Sequence, residues 1–243
     1  MKSVQIRGKK INYIARDSFF QLAAAGKWEK ETFDVLDNFI EKDKTFVDCG
    51  AWVGVFSIYA AHLGAGCLAI EPDNKAFTEL SDNIHANGMA DKIEPLNIAL
   101  ADKEGFARLN TMSAGGFGNS ETSLIDRGEI AATQGTRTVD LPTLLRYSNV
   151  APADICLIKI DIEGGELLLL DGCHKWLAKH KPTIYISFHP AWLGQLDEAT
   201  DKIISMLFPI YAFVQMDGMQ YNEVEFREAM LSAHNHSFLL IGK

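Results

Sequence analysis

Short apolar runs alternate with longer amphipathic stretches along most of this chain. The runs predict strands near 45–49, 67–71, 93–100, 155–161 and 182–188. The stretches between them predict helices near 54–63, 74–87, 140–147, 165–179 and 196–207. Strands that are apolar throughout and alternate with helices mean a mostly parallel sheet with helices on both faces. Two more strands, about 210–216 and 237–242, are expected to pair antiparallel at one edge, which brings the sheet to seven strands. Ahead of this core, residues 3–15 alternate around Gly8-Lys9 and predict a small hairpin. Asp17 is read as the cap of a helix that carries Leu22, Trp28, Phe33, Leu36 and Phe39 or Ile40 to about residue 41. The expected division is an N-terminal extension over 1–44 and one α/β domain over 45–243. Residues 111–136 break the pattern. They are rich in Ser, Thr, Gly and Asn, and leave the sheet at the end where ligands bind, so they are read as a substrate-side flap.

The most telling junction is Thr45-Phe46-Val47-Asp48-Cys49-Gly50-Ala51-Trp52-Val53-Gly54, a buried strand, a glycine turn and a helix start. The next strand, Cys67-Leu68-Ala69-Ile70, ends in Glu71-Pro72, and Glu71 lies 23 residues after Asp48. An acid at that spacing grips a ribose diol in nucleoside-binding α/β folds, because one carboxylate accepts from two hydroxyls. The turn lacks Gly-x-Gly-x-x-Gly and Gly-Lys-Ser/Thr, so it does not suit a phosphate. Asp48-x-Gly50-x-x-x-Gly54 is instead the loop of Rossmann-like methyltransferases that bind S-adenosylmethionine. That cofactor has no phosphate and carries an ammonium and a sulfonium, which an acid suits.

The fourth strand of the core ends in Lys159-Ile160-Asp161-Ile162-Glu163-Gly164-Gly165-Glu166. Alternation puts Lys159, Asp161 and Glu163 on one side. Charges at a buried strand tip are costly unless paired or functional. The next strand ends in Ser187-Phe188-His189-Pro190. A histidine in the same crevice could take a proton from an acceptor hydroxyl, with the rate falling as pH drops through about 6.5. Asp161, Glu163 and His189 all remain candidates for that base. Glu166 is read as an acid that merely starts a helix.

Charge and cysteine usage narrow the setting. The net charge of −9 argues against a nucleic-acid backbone as the main partner. No apolar run approaches the length of a membrane span. Cys49, Cys67, Cys156 and Cys173 have no metal-binding spacing and read as reduced, buried thiols of a cytoplasmic protein.

Together these motifs resemble the FkbM family of S-adenosylmethionine-dependent methyltransferases, over roughly residues 28–190. The resemblance rests on Asp48-Cys49-Gly50-Ala51-Trp52-Val53-Gly54, Glu71-Pro72, Asn83-Ile84-His85-Ala86-Asn87-Gly88 and Lys159-Ile160-Asp161-Ile162-Glu163-Gly164. It implies an α/β, Rossmann-like class I methyltransferase fold. The implied activity is O-methylation of a hydroxyl on a sugar, a glycan or a natural product. It further implies cofactor contacts from Glu29, Asp48, Gly50, Ala51, Trp52, Gly54, Glu71, Pro72, Asn97, Ala99 and Asp161, with Asp161, His189, Glu163 and Lys159 at the reacting centre. Two residues depart from the family pattern. Trp52 stands where Asn is usual, and Ser187 where an acid usually precedes the histidine by two. The second departure disfavours a divalent cation, so no metal ligand is assigned. N-methylation of another small molecule or of nucleic acid, and a non-catalytic scaffold, are the alternatives. The Asn/Asp-Pro-Pro-aromatic tip of nucleic-acid N-methyltransferases is missing from the sequence.

Overall fold

A computed structural model of the chain describes residues 1–126, 128, 130–214, 218–232 and 234–243. The expected hairpin forms from β1 (Lys2–Ile6) and β2 (Lys9–Tyr13). Arg7 and Gly8 both take positive φ, 46° and 78°, the two-residue turn whose twist matches the strands it joins. The single helix expected over 17–41 is two, α1 (Asp17–Ala24) and α2 (Lys30–Phe39). Gly26 and Glu29, at φ 65° and 48°, break the helix between them. The cap differs as well. Arg16 is the N-cap residue, while Asp17 opens the first turn and accepts from the Tyr13 hydroxyl.

The α/β core then runs β3 (Thr45–Cys49), α3 (Val55–Leu63), β4 (Gly66–Ile70), α4 (Asn74–Ala86) and β5 (Ile93–Leu96). There the chain leaves the main sheet. β6 (Ala99–Leu100), β7 (Gly105–Thr111), β8 (Thr122–Ser123) and β9 (Ala132–Val139) form a separate four-stranded sheet in the order β6-β9-β7-β8. The core resumes with α5 (Leu141–Tyr147), β10 (Ile155–Ile160), α6 (Glu166–His180), β11 (Ile184–Phe188) and α7 (Leu196–Leu207). It closes with β12 (Tyr211–Val214), β13 (Gln220–Tyr221), α8 (Glu223–Leu231) and β14 (His236–Gly242).

The main sheet is mixed and has eight strands, in the order β13-β12-β14-β11-β10-β3-β4-β5, not the seven expected. The five strands from β11 to β5 run parallel. β14 runs antiparallel to both β11 and β12, so the antiparallel strand lies inside the sheet instead of at its edge. β13 adds a short antiparallel rim. Residues 215 and 216, part of the strand expected over 210–216, lie outside the described residues. The strand expected over 93–100 divides near Asn97 between the two sheets. Pro95 lacks an N–H and sits in β5, the outermost strand, where no further ladder bond is needed.

Residues 111–136 are more ordered than expected, since they contain the end of β7, all of β8 and the start of β9. Residues 127 and 129 of that stretch lie outside the described residues. β9 is exposed or half-buried until Thr136, so no apolar run marks it in the sequence.

Neighbouring residues of each central strand divide between two buried layers. Phe46, Leu157 and Tyr185 pack with Phe20, Phe33 and Tyr59 of α1, α2 and α3. Val47, Ile158 and Ile186 pack with Leu144, Leu169 and Ile203 of α5, α6 and α7. Burial on both faces explains the largely apolar strands. It also fixes the carboxyl ends of β3, β4, β10 and β11 along one rim, the ligand-binding side of an open α/β sheet. Among the described residues no helix is long and apolar enough to cross a membrane.

Candidate active site

At the end of β3 the chain turns at Gly50, and the turn's amides point inward. Gly50 and Ala51 both donate to the Ile70 carbonyl, at 3.0 and 2.9 Å. The Trp52 amide donates to Glu71 Oε2 at 2.8 Å, and that of Gly54 to the Ala51 carbonyl at 2.8 Å. A phosphate loop aims such amides at its ligand. Here four are already engaged, which agrees with the absence of a phosphate motif. Gly50 has φ 82°, and a Cβ there would lie 1.9 Å from the Asp161 carbonyl oxygen, so the turn packs directly on the end of β10.

A cleft opens along this rim. One wall is Gly50, Ala51 and Trp52, and another is Glu71 and Pro72 beyond β4, with Ala99 from β6. Lys159, Asp161 and Glu163 line the third side. Trp28 and Phe56, stacked with centroids 5.1 Å apart, give the cleft an aromatic floor. Asn119, Ser120, Thr122, Ser123 and Leu124 also line it, so the segment read as a flap does border the site.

Glu71 is buried, yet both carboxylate oxygens have backbone donors, Oε2 from Trp52 and Oε1 from Asp73 at 2.8 Å. Burial outweighs these two bonds and pushes its pKa up to about 7. Each oxygen keeps a further lone pair, so a diol in the cleft would still find acceptors. The acid of the cleft suits a diol, and its one lysine is tied to carboxylates. These residues fit a nucleoside without phosphate better than a nucleotide.

Five residues expected at the site do not line the cleft. Asp48 is fully buried beneath the turn. Its Oδ2 accepts from the Ser57 hydroxyl at 2.7 Å, and its Oδ1 lies 3.5 Å from Lys159 Nζ with no hydrogen bond among the described residues. Burial raises its pKa despite Lys159. Gly54 caps α3 at φ 83° and packs against Leu80. Glu29 starts α2 and accepts from the Thr32 hydroxyl. Asn97 donates to the carbonyls of Glu71 and Pro72, at 3.0 and 3.2 Å, and so braces the end of β4 from behind. His189, the fifth, is considered with its partners below.

β10 ends at Ile160, so Asp161 and Glu163 converge through a turn and not through the expected strand alternation. Glu163 takes φ 56°, and its carbonyl accepts from Ser123 Oγ of β8 at 2.6 Å. Lys159 is buried with Nζ 3.5 Å from Asp48 and 3.7 Å from Asp161. Burial disfavours its ammonium, but Asp161, Asp48 and Glu29 outweigh that and hold its pKa above the ordinary lysine value. Lys159 is therefore a fixed cation, not a proton acceptor.

His189 is buried just past β11. Its Nδ1 bonds Glu166 Oε1 at 2.9 Å, and its Nε2 lies 3.5 Å from Asp161 and 3.6 Å from Glu163. Burial works against the imidazolium, but Glu166, Glu163 and Asp161 together push the pKa up to about 9. The ring therefore does not titrate near 6.5, as its sequence position suggested. Glu166 is the residue whose part the sequence reading missed. It is fully buried, and its Oε1 also accepts from the Ile162 and Gly164 amides at 3.3 and 3.1 Å. It thus ties the turn after β10 to His189. The signal available was an acid at the first position of a helix whose following residues are apolar. Ser187, the departure on β11, pairs with Ser237 of β14 at 2.8 Å and takes no part in this cluster.

The model of a family described as the methyltransferase FkbM domain matches residues 48–221. Similar solved structures include a methyltransferase FkbM from Methylobacillus flagellatus KT, 17% identical with a TM-score of 0.48. The match covers 95% of this chain and 56% of that one, so this chain spans little over half of that protein's length. Another is the precorrin-6y C5,15-methyltransferase from Geobacter metallireducens GS-15, 13% identical, TM-score 0.45, covering 88% of each chain. A third, from Streptococcus mutans, is described as a putative SAM-dependent methyltransferase, 13% identical, TM-score 0.46, covering 100% of this chain and 55% of that one. No curated protein matches the chain.

Proposed function

The chain belongs to the FkbM family of S-adenosylmethionine-dependent methyltransferases, and on that premise we propose that it methylates a hydroxyl of a sugar, a glycan or a natural product. In this reading residues 45–243 are the methyltransferase domain and 1–44 an N-terminal extension. One observation carries it: a single cleft joins the buried acid Glu71 to the charged tip Lys159-Asp161-Glu163.

The turn Gly50–Trp52 and Glu71 would hold the cofactor, with Glu71 accepting from the ribose and Pro72 and Ala99 beside the base. When bound, S-adenosylmethionine supplies an electrophilic methyl group on a sulfonium. The chain's own task is then alignment, since an in-line displacement gains most of its rate from positioning. A hydroxyl is a weak nucleophile at neutral pH and needs an acceptor for its proton. With its pKa pushed up to about 9, His189 already carries a proton at neutral pH. The proton therefore goes to a carboxylate, Asp161 or Glu163, both of which line the cleft. His189 and Lys159 hold those carboxylates in place, with contacts of 3.5 to 3.7 Å. A carboxylate-rich tip of this kind suits a neutral hydroxyl acceptor and not a nucleic-acid backbone.

The test is incubation with methyl-labelled S-adenosylmethionine and a panel of hydroxyl-bearing sugars and glycans, read by mass spectrometry. Label on an oxygen supports the reading. Label only on nitrogen, or no binding of S-adenosylhomocysteine at all, would overturn it.

A further inference from the structure

The carboxyl ends of β10 and β11 bring three ligand atoms to one point. Among the described residues, Asp161, Glu163 and His189 each offer one such atom, all within 4.8 Å of one another. The gaps from His189 Nε2, 3.5 Å to Asp161 Oδ1 and 3.6 Å to Glu163 Oε1, are longer than ordinary hydrogen bonds. The ring as a whole is almost wholly buried. Its other nitrogen is fixed on the buried Glu166 at 2.9 Å. A carboxylate behind a histidine is the arrangement that orients metal-bound imidazoles.

We propose that Asp161, Glu163 and His189 form a binding site for one divalent cation of the magnesium–manganese class, with Glu166 as the carboxylate that orients the imidazole. The two histidine–carboxylate gaps permit it. A cation about 2.2 Å from each atom, between the magnesium and calcium ranges, would see the histidine–carboxylate pairs at roughly 105° to 110°. Small side-chain movements bring these to the 90° of an octahedron. The ligands also select the metal class. Two carboxylate oxygens and one imidazole, with no thiolate among them, favour a hard oxygen-seeking ion over zinc or copper. Asp161 and Glu163 line the cleft, so the cation's remaining positions face the acceptor. Lys159 sits 3.7 Å from the other oxygen of Asp161, Oδ2, and so leaves Oδ1 for the ion.

The consequence deepens the proposed function and rests on it: the ion would displace the proton from His189 Nε2, bind the acceptor hydroxyl and lower its pKa, and the hydroxyl's proton would pass to the carboxylate oxygen of Asp161 or Glu163 that does not bind the ion. The expectation of metal independence rested on Ser187. The structure draws its carboxylates from the turn after β10, where that substitution removes nothing.

The test is a titration of tag-free protein with manganese(II), followed by electron paramagnetic resonance, with no cofactor present. A parallel calorimetric titration uses S-adenosylhomocysteine with no metal. One manganese per chain is expected. Glu163→Gln and Asp161→Asn should each weaken it by at least about tenfold, and Glu166→Gln by about 10- to 100-fold. Retained S-adenosylhomocysteine binding and an unchanged circular-dichroism spectrum in Glu163→Gln show that the variant is folded. Wild-type protein that takes up no manganese, or Glu163→Gln that binds it as tightly as wild type, overturns the cation site. Protein that binds manganese but not S-adenosylhomocysteine overturns the methyltransferase reading and leaves the cation site standing.

Discussion

Glu71 should make cofactor affinity depend on pH near neutrality, where ordinary carboxylates are silent. Its pKa is pushed up to about 7 by burial, against the pull of the Trp52 and Asp73 amides. Ribose hydroxyls donate, so they favour the ionised carboxylate over the protonated one. Binding therefore selects the ionised form and releases a proton from the fraction that was protonated. If only ionised Glu71 binds, the apparent dissociation constant rises by a factor of one plus ten to the power of the difference between pKa and pH. That factor is about 1.1 at pH 8 and about 11 at pH 6. Affinity for S-adenosylhomocysteine should thus fall about tenfold across this window, or about 1.4 kcal/mol. The sign follows from the direction of the shift. A raised carboxylate pKa opposes ionisation in the free protein, and lowering pH adds to that opposition. Calorimetry at several pH values, in two buffers of different ionisation enthalpy, reads both affinity and proton release. Glu71→Gln should bind more weakly and without this pH dependence. A wild-type dissociation constant flat between pH 6 and 8, or the same slope in Glu71→Gln, would refute the reasoning.

Two other predictions concern how the site is held. Lys159→Met leaves the buried Asp48 carboxylate without its cation, 3.5 Å away in the native protein, and should cost about 3–5 kcal/mol of stability in urea denaturation. A loss below about 1 kcal/mol would show that the pair contributes little. Gly50→Ala places a Cβ 1.9 Å from the Asp161 carbonyl oxygen at φ 82°, so even this smallest side chain should lower Tm by several degrees. The substitution thus perturbs folding as well as binding, and a melting temperature within about one degree of wild type would refute the packing argument.

Much of the molecule is legible in its sequence because burial on both faces leaves an unmistakable mark. β3, β4, β10 and β11 are apolar but for Thr45, Asp48, Lys159 and Ser187, and each leads into residues that build the site. What the sequence hides is of two kinds. The second sheet hides because most residues of β7 and β9 are exposed or only half-buried and several of the buried ones are Thr or Asn, so no apolar period announces them. The partners of buried charges hide because they arrive from elsewhere in the chain. Ser57 reaches Asp48 from α3, and Glu166 reaches His189 across 23 residues. Asp48 shows the cost of reading a motif without depth: a conspicuous acid beside a glycine turn lies under the turn, not in the cleft.

The border formed by residues 119–124 bears on how fast such an enzyme could turn over. Next to it, Gly118 is pinned three ways. Its amide donates to Asp73, and its carbonyl accepts from Arg16 and, at 3.1 Å, from the indole of Trp52. Arg16 also lies over the Trp52 ring, 4.8 Å from its centre. Swinging this border away from the cleft breaks all three bonds. At about 1 kcal/mol net for each, the open form is roughly one molecule in a hundred. A ligand that leaves or enters by this route must wait for that form. Trp52 is then more than a substitute for the usual Asn: it ties one wall of the cleft to the segment that borders its mouth.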